Sequence, residues 1–141
     1  MLYDPMLVQP MRDELTRLGA RELRSAEEVE EVLEGASGTT LVVVNSVCGC
    51  AARNARPAVA LALEHGTRPD QVVTVFAGQD IEATARARTY FAGFRPSSPS
   101  LGLLRDGELV FMLERHQIEG REAEDIARDL AGAFDQFCVA A

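Results

Sequence analysis

The sequence predicts an α/β fold in which helices cover both faces of a central mixed β-sheet. Two stretches, residues 39–46 and 71–77, are apolar and rich in β-branched side chains without polar alternation, which is typical of strands buried on both faces. Helical patterns separate these strands, and an Asp-Gly pair near the C-terminus predicts a hairpin. Strands that alternate with helices favour a parallel or mixed sheet, to which the hairpin adds an antiparallel edge.

The N-terminal part of the chain predicts two helices and a short strand. Apolar side chains recur at helical spacing over residues 5–18, which we expect to form an N-terminal helical extension. Residues 22–24 follow as a candidate strand. Ser25 and Glu28 have the spacing of a capping box, which predicts a helix that runs through Leu33.

The middle of the chain predicts two further helices, one after each buried strand. The first buried strand leads into a Cys-Gly-Cys motif and then into residues 51–64, whose alanine-rich composition is typical of a helix. Pro57 lies inside this segment and is expected to bend it, because proline removes one backbone hydrogen bond. After the second buried strand, Asp80 is the expected cap of a helix that ends near Phe91.

The C-terminal part predicts a loop, a hairpin and a helix. Residues 94–100 (FRPSSPS) contain two prolines and are expected to form the loop. Residues 101–104 and 109–113 follow as strands joined by the Asp-Gly turn. A last helix is expected over residues 121–137, with one apolar face formed by Ile126, Leu130, Phe134 and Phe137. We expect residues 1–141 to form a single domain.

Composition and charge exclude several classes of function. The chain carries 22 acidic and 14 basic residues, a formal charge of −8, so a nucleic-acid partner is not expected. All the basic residues are arginine, which excludes a lysine nucleophile. The longest apolar run is far shorter than a membrane span, so no membrane partner is expected. The N-terminus lacks a basic segment followed by an apolar core, and a cytoplasmic address is therefore expected.

Two of the three cysteines, Cys48 and Cys50, flank Gly49 and admit three interpretations. A static disulfide framework is not expected in the cytoplasm, where thiols are kept reduced. The pair is a redox-active dithiol, part of a metal site, or two small buried side chains. A structural zinc site needs about four ligands, for which the chain offers Cys48, Cys50, Cys138, His65 and His116.

The position of Cys48 favours the redox interpretation. It lies between a buried strand and a predicted helix, and the amide groups at a helix N-terminus stabilise a thiolate. Arg53 and Arg56 in the first helical turns are candidates for additional positive potential. Cys50 is close enough to attack a mixed disulfide on Cys48, and a disulfide between the two closes a small, strained ring that is easily reduced.

The order of a buried strand, a cysteine motif and a proline-containing helix resembles that of thioredoxin-like proteins. This motif has one residue between the cysteines, where thioredoxins have two. Thioredoxin-like folds carry a cis-proline opposite the active site and just before a strand. Pro99, which precedes Ser100 and Leu101, is the matching residue.

At finer detail the chain resembles the bacilliredoxin family, small thioredoxin-like proteins with a Cys-Gly-Cys motif. The resemblance covers nearly the whole chain and rests on several blocks in order: VQPMRDEL, VVVNSVCGCAA, ARPA, TVFAGQD, PSSPS, the RH pair at 115–116 and the IEG that follows. Relatives commonly have glycine where this chain has Arg53. Three interpretations of a large cation at this position stay open: it lowers the Cys48 pKa, it crowds an incoming protein substrate, or it is a solvated surface residue.

The resemblance implies a thiol–disulfide oxidoreductase that removes bacillithiol from mixed disulfides on client proteins. Cys48 is then the attacking thiolate, and Cys50 or a second bacillithiol releases the bound thiol. Disulfide isomerase activity is also implied. No metal or flavin cofactor is expected, because the chemistry is exchange between sulfurs, and bacillithiol or a similar thiol is the co-substrate. A non-enzymatic redox sensor and a metal-carrying module that use the same cysteines remain the alternatives.

Two further residues are candidates for the site. His116 is either a proton shuttle near neutral pH or a polar residue in the turn before the last helix. Cys138 is either a third redox thiol or structural filler beside Phe134 and Phe137.

Overall fold

The structure, a computed structural model, describes residues 2–139. These residues form five strands, five α-helices and two shorter helical turns. In chain order they are α1 (Pro5–Thr16), β1 (Arg21–Glu22), α2 (Ala26–Leu33), β2 (Thr39–Asn45), a π-helical turn (Ala51–Ala55), α3 (Arg56–Ala62), β3 (Gln71–Phe76), α4 (Ile81–Arg88), β4 (Ser100–Arg105), β5 (Glu108–Leu113), a 3₁₀ turn (Arg115–Gln117) and α5 (Ala123–Phe137).

The strands form one mixed sheet in the order β1-β3-β2-β4-β5. The first three strands in this order are parallel, and β2 pairs with Thr74 of β3 through Val43. On its other side Val43 pairs with Leu101 of the antiparallel β4, and β5 is antiparallel to β4. The predicted mixed sheet with an antiparallel edge is therefore confirmed.

Side chains of β2 alternate between two apolar cores, one on each face of the sheet. Leu41 and Val43 belong to the core that contains side chains of α1, α3 and α5. Val42 and Val44 belong to the core that contains side chains of α2 and α4. Every residue of β2 is buried, which confirms that helices cover the sheet on both faces. No helix within residues 2–139 has the length and apolar character needed to span a membrane.

The segment after the Cys-Gly-Cys motif is helical, as predicted over residues 51–64, and its helical run extends from residue 49 to residue 62. It contains the π-helical turn, in which the Arg56 N–H donates to the Ala51 carbonyl, five residues earlier. Pro57 lies inside this run, in the first turn of α3 and directly after the π-helical turn. The departure from the prediction is the π-helical turn, which changes the hydrogen-bond pattern next to a proline that has no N–H to donate.

Asp80 precedes α4, but its side chain does not cap this helix as the sequence predicts. Its carboxylate instead accepts two hydrogen bonds from the Arg12 guanidinium of α1, at 2.7 and 3.0 Å. Arg12 is buried and also lies over the Phe76 ring, 5.2 Å from its centroid. A bidentate, charge-assisted pair is stronger than a helix cap, which explains why the carboxylate turns away from the helix. The helix also ends at Arg88, earlier than predicted.

Two smaller predictions near the N-terminus are corrected in detail. The Ser25 hydroxyl accepts the Glu28 N–H at 3.1 Å, as predicted, but the Glu28 carboxylate accepts the N–H of Arg24 instead of completing the capping box. The first strand is Arg21–Glu22 rather than residues 22–24.

The predicted hairpin is confirmed: Asp106 and Gly107 have φ angles of 51° and 82°, as a two-residue turn requires.

Gly102 in β4 is required by close packing, because a β-carbon there meets the buried Phe91 ring, 2.8 Å from its Cζ. We expect Gly102→Ala to lower the free energy of unfolding by about 2 kcal/mol, since the ring has to leave its site. Urea unfolding measures this change. Gly132→Ala on the exposed side of α5 is the matched control, because nothing lies within 4 Å of its new methyl group. It is expected to stabilise the protein by up to about 1 kcal/mol, and equal losses in both variants would contradict the packing argument.

Candidate active site

The Cys-Gly-Cys motif lies at the edge of the sheet where β2, β3 and β5 end and β4 begins. Because β2, β3 and β5 run in the same direction, the residues that follow them meet at this edge. A cleft beside the motif, the Cys48 cleft, has a volume of about 320 Å³. Cys48 after β2, Gly78 after β3, Ser98 before β4 and Arg115 after β5 all line it.

The two sulfur atoms of the motif are in direct contact. Cys48 Sγ and Cys50 Sγ lie 2.7 Å apart, and both side chains are half-buried free thiols. The Cys50 N–H donates to Cys48 Sγ at 3.4 Å, and the Cys48 N–H donates to the Ser46 hydroxyl at 3.1 Å. The loop therefore places both the Cys50 thiol and the Cys50 N–H against one sulfur atom, that of Cys48.

This arrangement separates the acidities of the two thiols. The pKa of Cys48 is lowered from its ordinary value, chiefly by the hydrogen bond from the Cys50 thiol and further by the Cys50 N–H and the charge of Arg115, against the effect of burial. The pKa of Cys50 is raised, chiefly by burial and then by its contact with Cys48. A lowered Cys48 pKa is the direction that its position before a helix predicts, but the largest cause is the neighbouring thiol.

Two charged residues on the segment after β5 complete the surroundings of the motif. Arg115 Nε lies 2.9 Å from Glu119 Oε2, and the same oxygen accepts a long contact of 3.9 Å from Cys50 Sγ. Neither residue was among the predicted site residues, although Arg115 belongs to the RH pair that the bacilliredoxin resemblance includes. The strand order is the signal that identifies them: β5 runs parallel to β2, so the residues that follow β5 lie at the same edge of the sheet as the residues that follow β2.

The two arginines predicted to supply positive potential have other positions. Arg56 is buried beneath the loop, and its Nη1 donates to Asn45 Oδ1 at 2.9 Å and to the Ser46 carbonyl at 3.1 Å. Arg53 is exposed, and its guanidinium lies over Gly49, where an added β-carbon would be 2.9 Å from Nη2. Arg115 is the cation whose charge lowers the Cys48 pKa.

The remaining candidate residues lie at different distances from the motif. The Ser98–Pro99 peptide bond is cis, as the thioredoxin resemblance implies, and Ser98 borders the Cys48 cleft. His116 is 72% exposed, and its Nε2 lies 4.0 Å from Glu114. Cys138 lies in a separate cleft with Thr39, the first residue of β2, and Asp70, the residue before β3, and so at the opposite end of the sheet. Its pKa is raised, chiefly by burial.

The candidate zinc ligands are therefore not brought together. Cys138 is separated from Cys48 and Cys50 by the length of β2, and His65 pairs with Asp135 at 2.8 Å. Within residues 2–139, no three histidine, cysteine, aspartate or glutamate side chains are grouped as a metal site.

Comparison with known proteins identifies the family. Residues 3–138 match the family described as disulphide isomerase. A bacilliredoxin of Koribacter versatilis is 53% identical over 139 residues, which cover 99% of this chain and 96% of the relative. The chain belongs to the bacilliredoxin family. A bacilliredoxin of Geobacillus kaustophilus is 55% identical over 137 residues, which cover 96% of this chain and 94% of that relative. The resemblance seen in the sequence is confirmed.

Solved structures establish the fold of this bacilliredoxin family member as thioredoxin-like. A thioredoxin mutant from Halobacterium salinarum superposes with a TM-score of 0.58 at 19% identity, covering 86% of this chain and 93% of the thioredoxin. A thioredoxin from Fasciola hepatica gives a TM-score of 0.55 at 20% identity, covering 83% and 98%. The predicted fold class is confirmed. Family and fold together support thiol–disulfide oxidoreductase chemistry.

The pKa of Cys48 is expected to rise when its thiol donor is removed. In Cys50→Ala the largest cause of the lowered pKa is gone, so we expect the value to move toward that of a free cysteine, about 8.5. The thiolate fraction at a pH below that value then falls, and alkylation of Cys48 by iodoacetamide slows. The rate measured against pH, with adducts located by tandem mass spectrometry, gives the pKa. Cys138→Ala is the control, and a Cys48 pKa that stays low in Cys50→Ala would contradict the prediction.

Proposed function

We propose that this protein removes bacillithiol, or a similar low-molecular-weight thiol, from mixed disulfides on client proteins, with Cys48 as the nucleophile. One observation carries the proposal: two thiols in contact, of which one has a lowered pKa and the other a raised pKa. The thiolate is the reactive form in disulfide exchange, so this difference selects Cys48 for the first attack. The resemblance to the bacilliredoxin family implies bacillithiol as the thiol removed.

The first step transfers the small thiol from the client to Cys48. The Cys48 thiolate attacks the sulfur of the bound small thiol, a new S–S bond forms, and the bond to the client cysteine breaks. The client sulfur leaves with the electron pair and takes up a proton. The client is thereby reduced, and Cys48 holds the small thiol as a mixed disulfide.

The second step releases the small thiol from Cys48. Either a second molecule of that thiol attacks the sulfur bound to Cys48, which yields the symmetric disulfide and releases the Cys48 thiolate, or Cys50 attacks Cys48, expels the small thiol and forms the strained three-residue ring. Once Cys48 is capped, it carries no negative charge that would raise the Cys50 pKa. The charge of Arg115 still favours ionisation of Cys50. Glu119 is the acceptor within reach of the Cys50 proton.

The same cysteine pair also supports rearrangement of client disulfides. A Cys48 thiolate that attacks a client disulfide forms a mixed disulfide with the client itself, and the freed client thiol then attacks elsewhere. The description of the matched family as disulphide isomerase supports this second activity.

Mass spectrometry of the protein from oxidatively stressed cells tests the proposal. The expected result is an adduct of one low-molecular-weight thiol on Cys48, whose mass identifies that thiol. Turnover is then measured with a bacillithiolated client and excess reducing thiol, and release of more than one equivalent per protein separates an enzyme from a redox sensor. Stoichiometric zinc in protein purified under reducing conditions, or adducts on Cys138 alone, would contradict the proposal.

A further inference from the structure

The Cys48 cleft is positively charged in a protein whose formal charge is −8. Arg88, the last residue of α4, and Arg115 both line it, and none of the described residues that line it is acidic. The cleft on the other side of the motif, the Cys50 cleft, has a volume of about 370 Å³ and is lined by the carboxylates of Glu119 and Glu122 as well as by arginines. A small anion is therefore attracted to the side of the motif on which Cys48 lies.

Arg88 has donors that the protein leaves unused. Its Nη2 donates to the Ser97 carbonyl at 3.3 Å, but its buried Nε has no hydrogen-bond partner among the described residues. Within residues 2–139 no carboxylate lies within ion-pair distance of its guanidinium, whereas Arg115 pairs with Glu119. Burial lowers the pKa of Arg88, with no acidic neighbour to offset the effect. A half-buried guanidinium without an anion is costly for the folded protein.

Neither the helix nor the thiolate accounts for this unused charge. The C-terminal end of α4 favours a cation, but its carbonyl groups do not supply a partner for the Arg88 Nε. The cation that lowers the Cys48 pKa is Arg115. Arg88 lines the cleft while its Nε is buried, so a group that enters the cleft from outside meets the outer part of the guanidinium.

We propose that Arg88, together with Arg115, binds a carboxylate of the low-molecular-weight thiol whose sulfur bonds to Cys48. This inference rests on the proposed function and assigns the residues that bind the carboxylate of its thiol substrate. A guanidinium pairs with a carboxylate through two parallel N–H donors, which fixes the orientation of the ligand as well as its affinity. Arg88 is then a specificity-determining residue of the exchange reaction.

Two small disulfides with and without carboxylates test the subsite. Reduced protein is mixed with dithiodipropionate, which is a dicarboxylate, or with the neutral hydroxyethyl disulfide. In both cases the Cys48 thiolate forms a new S–S bond, and half of the probe leaves as a thiolate. The measured quantity is the ratio of the two initial rates of Cys48 adduct formation, because a ratio cancels changes in the reactivity of Cys48 itself.

Arg88→Gln is expected to lower this ratio about tenfold, the effect of losing one charge-assisted pair. The matched control is Arg68→Gln, which removes the same charge from an exposed residue just before β3, at the opposite end of the sheet. Its ratio is expected to stay within about twofold of wild type. If Arg88→Gln does not fold, Arg88→Lys decides, because lysine keeps the charge but loses the planar fork and is expected to lower the ratio about threefold.

Three results would overturn the subsite. The first is an unchanged ratio of rates in the Arg88 variants, and the second is an equal fall of this ratio in Arg68→Gln. The third is a loss of rate in the Arg88 variants that appears only with a peptide mixed disulfide whose cysteine has acidic neighbours. The last would assign Arg88 to the client chain. None of these assays uses a bacillithiolated client, so failure of the proposed turnover and failure of the subsite are separate observations.

Discussion

Cys48→Ser is expected to abolish release of the small thiol from a bacillithiolated client. The substitution nearly keeps the size of the side chain but removes the one sulfur atom whose pKa is lowered by two donors and by the charge of Arg115. We expect a loss of at least about a thousandfold, the scale seen when an enzyme loses its nucleophile. The measurement is the initial rate of thiol release with the client in excess over the protein.

The other two cysteines provide the controls for this experiment. Cys138→Ser is expected to release the thiol at the wild-type rate, because Cys138 lies at the opposite end of the sheet. Cys50→Ala is expected to accept the thiol and to hold it as a Cys48 adduct until a second thiol is added, with a slower first step because the Cys50 donor is lost. Release by Cys48→Ser at the wild-type rate would show that another residue is the nucleophile and would contradict the proposed mechanism.

The fold was predictable because its central strands carry a strong local signal. Both faces of β2 are buried, so its residues from Thr39 to Val44 are all apolar or β-branched and leave no solvated face. The Asp-Gly turn is equally local, since Asp106 and Gly107 adopt positive φ angles that few other residues tolerate. Strands and turns of this kind are determined by residues close in sequence.

The wrongly predicted helix cap arises from a contact between distant parts of the chain. Asp80 is followed by a helix and has the residue type of a cap, but Arg12, 68 positions earlier, binds its carboxylate. This outcome is not encoded in the residues next to Asp80. The π-helical turn before Pro57 is a local departure from the single regular helix that the composition of residues 51–64 predicts.

The candidate site was predictable only where the chain itself brings its residues together. Cys48 and Cys50 are two positions apart, so their contact follows from the sequence. Arg115 and Glu119 come from the segment after β5, and Arg88 from the end of α4, so their approach to the motif depends on strand order. Arg53 and Arg56 are near in sequence, yet their side chains lie over Gly49 and beneath the loop.

The buried guanidinium of Arg56 connects the cysteine loop to the rest of the protein. Its Nη1 donates to Asn45 Oδ1 and to the Ser46 carbonyl, and the Ser46 hydroxyl in turn accepts the Cys48 N–H. Asn45 also donates through Nδ2 to the Met11 carbonyl of α1 at 3.1 Å. Arg56 Nε lies 3.1 Å from Glu14 Oε1 of α1, an ion-pair distance at which the N–H is not aligned for a hydrogen bond. The buried Arg56 side chain thus fixes the loop that carries Cys48, and contacts of Arg56 and Asn45 connect this loop to α1.

Arg56→Met is expected to lower the free energy of unfolding by about 3 kcal/mol, because it keeps the apolar stem but leaves the buried Ser46 carbonyl without its donor and Glu14 without its cation. Urea unfolding with an unchanged slope measures the loss. Arg128→Met is the matched control, since Arg128 is 78% exposed and pairs only with Asp125, and it is expected to change stability by less than about 0.5 kcal/mol. If Arg56→Met is as stable as Arg128→Met, water replaces the guanidinium beneath the loop. The hydrogen bond from the Cys48 N–H to the Ser46 hydroxyl would then be the contact that fixes the position of Cys48.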